Sequence, residues 1–341
     1  MRSTALLVLV ALALAAPALA ADRLIVLNKS GHEAALVDAA TLAVVARVPT
    51  GQGPHEVVVS PDGRRAFVAD YGAYQVFKEG ERARHEPGRT LTVIDLERGV
   101  AAATWDLGEY RSPHGIAVSR DGTRLWVTVE ANQAVLELDA ADGRVVGAWR
   151  TGQEVSHMLA PTPDERKLYV ANIRSGTVTV IERASGAVRT VVTGAGAEGI
   201  DVTPDGREVW VTNRGANTVS VIAVATDSVV ASFPSGGEFP IRVKFTPDGR
   251  EAWVSNARSD RVTVFDARSR AALDSIDVGR MPVGIQMSPD GRRAFVANTN
   301  ADLVTAIDVP RRAVERTFAT GREPDGMAWA PALRRGRGSK P

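Results

Sequence analysis

The chain of 341 residues has no cysteine, few aromatic residues (5%) and a formal net charge of only +1. Without cysteine it forms no disulfide, and it lacks the Cys-x-x-Cys-His motif through which c-type haem is attached. The balanced charge argues against nucleic acid or an acidic membrane surface as the main partner. Covalent c-type haem is therefore excluded, and we do not expect a nucleic-acid partner.

Long apolar runs are also missing, except near the N-terminus. Arg2 is followed by an apolar run over residues 5–16 and by the small-residue sequence Ala18-Leu19-Ala20. This pattern is typical of a cleaved signal peptide, and the run is too short to cross a bilayer. We expect residues 1–20 to be a signal peptide and the mature chain to be periplasmic or secreted, with no membrane span.

A turn sequence typified by Ser60-Pro61-Asp62-Gly63 returns along the chain. Its second residue falls at positions 61, 120, 163, 204, 247, 289 and 331, so that every interval except the first is close to 42 residues. A repeat of this length indicates a propeller, a solenoid or an array. Within one unit, β-branched runs such as residues 168–171 and 177–181 alternate with Gly, Asn, Asp and Ser turns, which is the pattern of strands. Four short strands per unit form one propeller blade.

The two ends of the chain predict how the ring closes. Residues 23–27, 34–37 and 43–48 have the pattern of second, third and fourth strands, and residues 326–330 have that of a first strand. We therefore predict an all-β fold, one seven-bladed β-propeller over residues 21–331, closed by pairing three N-terminal strands with one C-terminal strand. This closure removes an exposed sheet edge. Residues 332–341 are predicted to be a basic disordered tail.

Two segments of one repeat carry a resemblance to a known family. Residues 168–172 have the sequence LYVAN and residues 175–181 the sequence SGTVTVI. They resemble the YVTN repeat of exported seven-bladed propellers, the YncE-like group, and the resemblance covers nearly all of the mature chain. Propellers of periplasmic nitrite and nitrous oxide reductases, lactonases and virginiamycin B lyase are more distant relatives by fold. Their chemistries differ, so the resemblance implies the fold and leaves the function to the site.

The repeats, compared with one another, differ most at the residue that follows the start of each first strand. In ring order this column contains Asp325, His55, His114, His157, Glu198, Ile241 and Val283. Because the first strand of a blade lines the central channel, the column is expected to ring the mouth of that channel. Three of the five histidines lie in it, and the other two, His32 and His85, map to loops of the same face.

A second column changes in the same part of the ring. The second strand usually ends in Asn, but Asp70 and Glu130 replace it in the two blades that carry His55 and His114. The first of these blades also has an insertion over residues 71–89, which includes Tyr71, Tyr74, Phe77 and His85. Long loops of this kind often bind ligands or cover a site. Departures from the repeat therefore cluster on one side of one face.

Three imidazoles and a carboxylate on neighbouring blades suit a divalent transition metal. We predict Zn, Cu, Fe or Mn, held by His55, His114, His157 and Glu198. A haem-like cofactor ranks behind a metal ion. Candidates to orient the outer imidazole nitrogens are Asp70, Glu130 and Glu154. Candidates to contact a bound cofactor or an anionic substrate are Arg111, Arg242, Tyr71 and Asp70.

Several readings of this column remain open at the level of sequence. The column could hold a metal or cofactor, form a polar pocket for an organic ligand, or only line a structural channel. The leading function is an accessory or binding protein for a metal or small ligand, expected to be a monomer. The second is a metal-dependent lyase, hydrolase or oxidoreductase with His114 and Glu130 as catalytic candidates. The third is a scaffold for a periplasmic protein partner.

Two sets of residues are expected to have a structural role only. Trp126, Trp210 and Trp253 are expected in the core, and Met158 is expected to fill a gap beside His157.

Overall fold

The computed structural model describes residues 21–73 and 86–333, and in these residues 28 strands form seven four-stranded antiparallel sheets. Blade 1 comprises β1 (Arg23–Asn28), β2 (Glu33–Asp38), β3 (Val44–Pro49) and the last strand, β28 (Pro324–Ala330). Blade 2 comprises β4 (Pro54–Val59), β5 (Arg65–Ala73), β6 (Glu86–Asp95) and β7 (Val100–Asp106). Blade 3 comprises β8 (Pro113–Val118), β9 (Arg124–Val129), β10 (Ala134–Asp139) and β11 (Val145–Arg150).

The remaining four blades repeat the same order of strands. Blade 4 comprises β12 (Ser156–Pro161), β13 (Lys167–Asn172), β14 (Thr177–Glu182) and β15 (Val188–Val192). Blade 5 comprises β16 (Ala197–Val202), β17 (Glu208–Asn213), β18 (Thr218–Ala223) and β19 (Ser228–Pro234). Blade 6 comprises β20 (Pro240–Phe245), β21 (Glu251–Asn256), β22 (Arg261–Asp266) and β23 (Ala272–Asp277). Blade 7 comprises β24 (Pro282–Met287), β25 (Arg293–Asn298), β26 (Leu303–Asp308) and β27 (Ala313–Phe318).

The predicted closure of the ring is confirmed. In blade 1 the order of strands is β28-β1-β2-β3, and Ile25 of β1 lies opposite Ala328 of β28. The innermost strands contact one another in the sequence β28, β4, β8, β12, β16, β20, β24 and back to β28. The N- and C-terminal segments therefore share one sheet, as the missing strands at the two ends of the sequence indicate.

Burial follows the position of each strand in its blade. Second strands are buried on both faces, as in β13, whereas fourth strands such as β11 alternate between half-buried and exposed residues. Apolar side chains form a cluster between each pair of neighbouring blades. Trp126, Trp210 and Trp253 are fully buried in these clusters, which confirms their prediction as core residues.

The turn between the first and second strands is held by its aspartate. In blade 2, Asp62 Oδ1 accepts hydrogen bonds from the Ser60 hydroxyl (2.5 Å) and the Arg64 N–H (3.0 Å), and Gly63 has a φ of +72°. An aspartate that accepts a hydrogen bond from the backbone N–H two residues later stabilises a tight turn, and glycine adopts the positive φ that such a turn needs. These aspartates therefore position strands and lie at the opposite end of the blades from the channel mouth.

Three short 3₁₀ helices, Lys29–Gly31, Glu130–Asn132 and Thr299–Ala301, follow second strands in blades 1, 3 and 7. The insertion of blade 2 partly continues the sheet, since Gly72 pairs with Pro87 and Ala73 with Glu86. The predicted signal peptide (1–20), residues 334–341 of the predicted tail, and Tyr74, Phe77 and His85 lie outside the described residues. Among the described residues, no helix has the length and apolar character needed to cross a membrane.

Candidate functional site

The variable column surrounds a cavity of about 390 Å³ at one end of the channel. All seven column residues line it: Asp325, His55, His114, His157, Glu198, Ile241 and Val283. Each is the second residue of an innermost strand, so the ring of strands brings together side chains that are far apart in the sequence. Polar members lie on one side of the cavity, and Ile241 and Val283 supply an apolar wall.

Hydroxyl groups of the second strands fix the backbone of this column. Thr128 accepts a hydrogen bond from the Gly115 N–H (2.8 Å) and donates to the carbonyl of His157 in the next blade (2.6 Å). Thr212 and Ser255 bridge the following blades in the same way. A Cβ on Gly115 would lie 2.6 Å from that His157 carbonyl oxygen, so glycine permits the close approach of neighbouring blades.

The three histidines of the column contact one another directly. His114 Nε2 lies 3.1 Å from His55 Nδ1, and the rings of His114 and His157 stack with centroids 3.6 Å apart. Burial lowers the pKa of all three imidazoles well below the usual 6.5. Nearby Lys and Arg side chains add to this shift for His55 and His157, and the two neighbouring histidines add to it for His114. At neutral pH these rings are therefore uncharged and have lone pairs available for a ligand.

Glu130 joins the histidines to Tyr71. One carboxylate oxygen contacts His157 Nδ1 at 2.5 Å, and the other accepts a hydrogen bond of 2.6 Å from the Tyr71 hydroxyl. The expected replacement of Asn by Glu130 is wrong by one residue, because Val129 pairs with Pro113 as Asn172 pairs with Ser156. Glu130 is the next residue, the first of the 3₁₀ helix, and its carboxylate lies in the cavity next to the predicted ligands. The structure brings Glu130, His114 and His157 together so that one ligand atom from each lies within 4.8 Å of the others.

Glu198 lies between an imidazole and an arginine. Its Oε1 is 3.6 Å from His157 Nε2, and its Oε2 is 2.8 Å from Arg214 Nη1. Burial raises the pKa of this carboxyl to about 7, although Arg214 acts in the opposite direction. Glu198 can therefore exchange a proton near neutral pH.

Asp325 anchors the other end of the polar arc. Its Oδ2 contacts Lys29 Nζ at 3.1 Å and His55 Nδ1 at 3.3 Å, and all three side chains are buried. Lys29 stands in the short 3₁₀ helix of blade 1, where no feature of the predicted column identifies it. The carboxylate of Asp325 is thus already paired with an internal cation.

The floor of the cavity is a second layer of side chains one residue further along the innermost strands. Arg242 forms an ion pair with Glu56, and its Nη1 lies 3.3 Å from Met158 Sδ. Four of the seven repeats have glycine at this position, whereas these three residues replace it. Glu56 and Arg242 also line a second cavity of about 530 Å³, so this layer divides the channel. Met158 packs in the core of blades 4 and 5 and contacts Arg242, as expected of a gap-filling residue.

Some predicted residues lie outside the cavity lining. Arg111 bonds to carbonyls of its own loop, at Gly108 and Tyr110. Asp70 is buried behind the column, where it accepts hydrogen bonds from Thr90, Thr92 and the Gly51 N–H. The equivalent Asn172 likewise hydrogen-bonds to threonine hydroxyls of the third strand of its own blade, those of Thr177 and Thr179. Glu154 is exposed, and His32 accepts the Gly53 N–H (3.1 Å). The structure thus does not bring Arg111, Asp70 or Glu154 to the imidazoles.

The channel site also contains residues that the column comparison did not identify. Arg174, Arg214 and Glu56 line the cavity, and Lys29 pairs with Asp325. Glu56 could have been found, because it replaces glycine in the same column as Met158 and Arg242. Arg174 and Arg214 follow the ends of β13 and β17, where loop position alone does not distinguish them from other surface arginines.

Comparisons with known proteins agree with this architecture. A family model described as "Lactonase, 7-bladed beta-propeller" matches residues 12–198, and one described as "YNCE-like beta-propeller" matches residues 183–287. The lactonase model covers more than half of the chain, so the chain belongs to the seven-bladed propellers of that family, and the second match shows similarity to the YncE-like group. This confirms the resemblance expressed by the LYVAN segment and its partner strand.

One curated relative is the seven-bladed beta-propeller protein Rv1057 of Mycobacterium tuberculosis, 31% identical over 157 residues. That match covers 46% of this chain and 35% of the relative, so the chain spans about a third of the curated protein it matches. Its printed description states the fold and names no ligand or reaction.

Solved structures show the same fold at lower identity. Hydrazine synthase of Kuenenia stuttgartiensis gives a TM-score of 0.73 at 22% identity, covering 84% of this chain and 92% of that chain. A functionally unknown protein from Desulfotomaculum acetoxidans gives 0.74 at 13% identity, covering 91% and 99%. The dihydro-heme d1 dehydrogenase NirN gives 0.64 at 20% identity, covering 89% and 66%. At these identities the likeness is one of fold alone.

Proposed function

We propose that this propeller binds a divalent transition metal at its channel mouth through His114, Glu130 and His157, and that it acts as an exported binding or accessory protein. The observation that carries the proposal is the convergence of these three side chains within 4.8 Å. Two neutral imidazoles and one carboxylate suit Zn, Fe or Mn and leave coordination positions open for a ligand. His55 and Glu198, both predicted as ligands, flank this set.

The surroundings of the three side chains support a site for a cation. Buried imidazoles that stay neutral at pH 7 do not have to release a proton before they bind a metal. His114 Nδ1 and His55 Nε2 are buried and have no hydrogen-bond partner among the described residues. A tetrahedral ion with bonds of about 2.0–2.1 Å needs ligand atoms about 3.3 Å apart. Rotation of the three side chains would bring their ligand atoms to this spacing, and the 2.5 Å contact between His157 Nδ1 and Glu130 Oε1 would lengthen.

A thermal-shift titration of tag-free protein with Zn²⁺ and Mn²⁺ tests the proposal. With free metal at 100 times the dissociation constant, binding should stabilise the fold by about 2.7 kcal/mol. The variants His114→Ala and His157→Ala should lose this shift. His32→Ala is the matched control, because His32 lies on the same face and outside the cavity lining. No shift in the wild type, or an equal loss in His32→Ala, would refute the proposal.

A second candidate is a metal-dependent hydrolase, and one feature of the cavity favours it. Glu198, with a pKa of about 7, is suited to accept and return a proton at neutral pH. The lactonase family model that matches residues 12–198 directs the choice of probe toward a lactone, whose ring opens with the addition of one water. A pH-stat assay with glucono-δ-lactone should give turnover that falls in Glu198→Gln and persists in the exposed control Glu154→Gln. A rate equal to that of buffer would eliminate this candidate.

A further inference from the structure

The charges around the cavity cancel before any metal is bound. Four carboxylates face or line it, those of Glu56, Glu130, Glu198 and Asp325. Three lining arginines, Arg174, Arg214 and Arg242, and the lysine paired with Asp325 supply four positive charges. Apart from the histidines, these charges cancel among the described residues. A divalent cation would therefore leave the cavity with a net charge of +2.

A net charge of +2 in a largely buried cavity is unfavourable unless a counter-ion enters. Isolated charges are costly to remove from water, and buried charges in proteins are paired or coordinate metals. The carboxylates cannot supply further compensation, because Glu56, Glu198 and Asp325 each already contact a cationic side chain.

Two arginines stand where an entering anion would meet them. Arg174 is exposed at the rim of the cavity, and its guanidinium makes no hydrogen bond or ion pair with the residues that the structure describes. Arg214 contacts a carboxylate through Nη1, which leaves its other guanidinium N–H groups to offer. Guanidinium groups bind carboxylates and phosphates through parallel N–H donors.

We propose that the metal-loaded cavity takes a small ligand with a carboxylate or phosphate group, which binds the metal on one side and Arg174 and Arg214 on the other. This inference rests on the proposed metal site and names the chemical class of its ligand. The apolar wall of Ile241 and Val283 then faces the remainder of that ligand. One anionic group of the ligand thus fills an open coordination position of the metal and accepts hydrogen bonds from the two arginines.

The next blade supplies a matched control. Arg258 is the second residue after β21, as Arg174 is the second residue after β13. The guanidinium groups of Arg258 and Arg214 both lie over the ring of Phe239, at 4.3 and 5.1 Å from its centroid. Arg258 is absent from the lining of the cavity, within the described residues. Its replacement removes the same charge from the same face without touching the proposed anion site.

Isothermal titration calorimetry tests the inference in two stages. The Zn²⁺ affinity of the wild type and of Arg174→Gln, Arg214→Gln and Arg258→Gln is measured first. Zn-loaded protein, freed of excess Zn²⁺, is then titrated with malonate and, separately, with inorganic phosphate. We expect at least one of the two anions to bind, and apoprotein to bind it at least about tenfold more weakly. Arg174→Gln and Arg214→Gln should each weaken binding by about tenfold or more, since hydrogen bonds to charged groups are among the stronger ones. Arg258→Gln should match the wild type within about twofold.

The two stages separate the possible failures. Normal Zn²⁺ binding with no affinity for either anion would overturn the inference and leave the metal site standing. An equal loss of anion affinity in Arg258→Gln would also overturn it, because the effect would be one of overall charge. Failure of Zn²⁺ to bind would refute the proposed function, and the charge argument would fall with it. Binding of malonate would indicate a carboxylate ligand, and binding of inorganic phosphate would indicate a phosphate ligand.

Discussion

The ion pair between Glu56 and Arg242, which forms the cavity floor, makes a sharp prediction about stability. Both side chains are almost completely buried, at 10% and 12% exposure, and Arg242 also contacts Met158. Removing one partner of a buried pair leaves an uncompensated charge and typically costs about 3–5 kcal/mol. Replacing both partners by neutral groups is often neutral or stabilising. Glu56→Gln and Arg242→Met should therefore each destabilise the fold, and the double variant should recover most of the loss.

The two single variants should also differ in their response to pH. Arginine cannot lose its charge, so Glu56→Gln leaves a cation in the channel at every accessible pH. Burial raises the pKa of Glu56, and Arg242 lowers it. In Arg242→Met the carboxyl therefore has a still higher pKa, its proton stabilises the fold at low pH, and this stability is lost as pH rises through the new pKa. The cost of Arg242→Met should accordingly be smaller at pH 5 than at pH 8.

Thermal unfolding of the four proteins gives the measurement. With an unfolding entropy of about 2.1 cal/mol/K per residue, a chain of this length loses about 1.5 °C of Tm per kcal/mol. Each single variant should therefore unfold about 5–7 °C lower than the wild type, and the double variant within about 2 °C of it. Single variants within about 1.5 °C of the wild type, or a double variant equal to the sum of the singles, would refute the account of the floor.

Three further predictions address other parts of the molecule. Burial raises the pKa of Asp70 from 3.8 to about 6 in the folded protein. The free energy of unfolding therefore falls as pH rises from about 4 to about 6, by about 3 kcal/mol in total. Asp70→Asn should thus stabilise the fold by up to about 3 kcal/mol at pH 8 and by little at pH 4. Asn172→Asp, which introduces a buried carboxyl, should destabilise the fold at pH 8 and have little effect at pH 4. Differences in urea unfolding that do not depend on pH would contradict this. Gly199→Ala should cost more than about 2 kcal/mol, because its Cβ would lie 2.1 Å from the Ile241 carbonyl oxygen, whereas Gly147→Ala, with nothing nearer than 3.8 Å, should be close to neutral in the same assay. Deletion of residues 323–341 removes β28 and should abolish the monomeric folded species in size-exclusion chromatography, and a folded monomer would contradict the closure.

The fold was predictable because it is repeated. Six Asp-containing turns fixed the period, and the unpaired strands at the two ends determined how the first and last segments join. A repeat also supplies its own comparison, since the column from Asp325 to Val283 lines one cavity as predicted from position alone. The insertion was harder to predict: Tyr71 and Gly72 belong to an extended strand, because the ladder between β5 and β6 continues beyond a bulge.

The contents of the site were only partly predictable, because contacts across the channel depend on side-chain direction. The sequence comparison placed Glu130 at the Asn position, but Val129 occupies that position and Glu130 follows it. Asp70 does replace the Asn, and it hydrogen-bonds inside its own blade. Arg111 had the right charge and loop, but its guanidinium turns back to local carbonyls. Lys29 and Arg214 pair with members of the column from the position directly after a second strand, a repeat position that the column comparison did not include. Repeat position thus identifies the blade and the face, and packing decides which neighbour a side chain meets.

The central claim is that His114, Glu130 and His157 hold a metal ion. Elemental analysis by inductively coupled plasma mass spectrometry, on tag-free protein purified without chelators, tests it most directly. The account predicts about one equivalent of Zn, Fe, Mn or Cu per chain in the wild type and loss of that metal in His114→Ala, with His32→Ala retaining it. Protein that contains no transition metal, and that takes up none after incubation with each ion and desalting, would contradict the account.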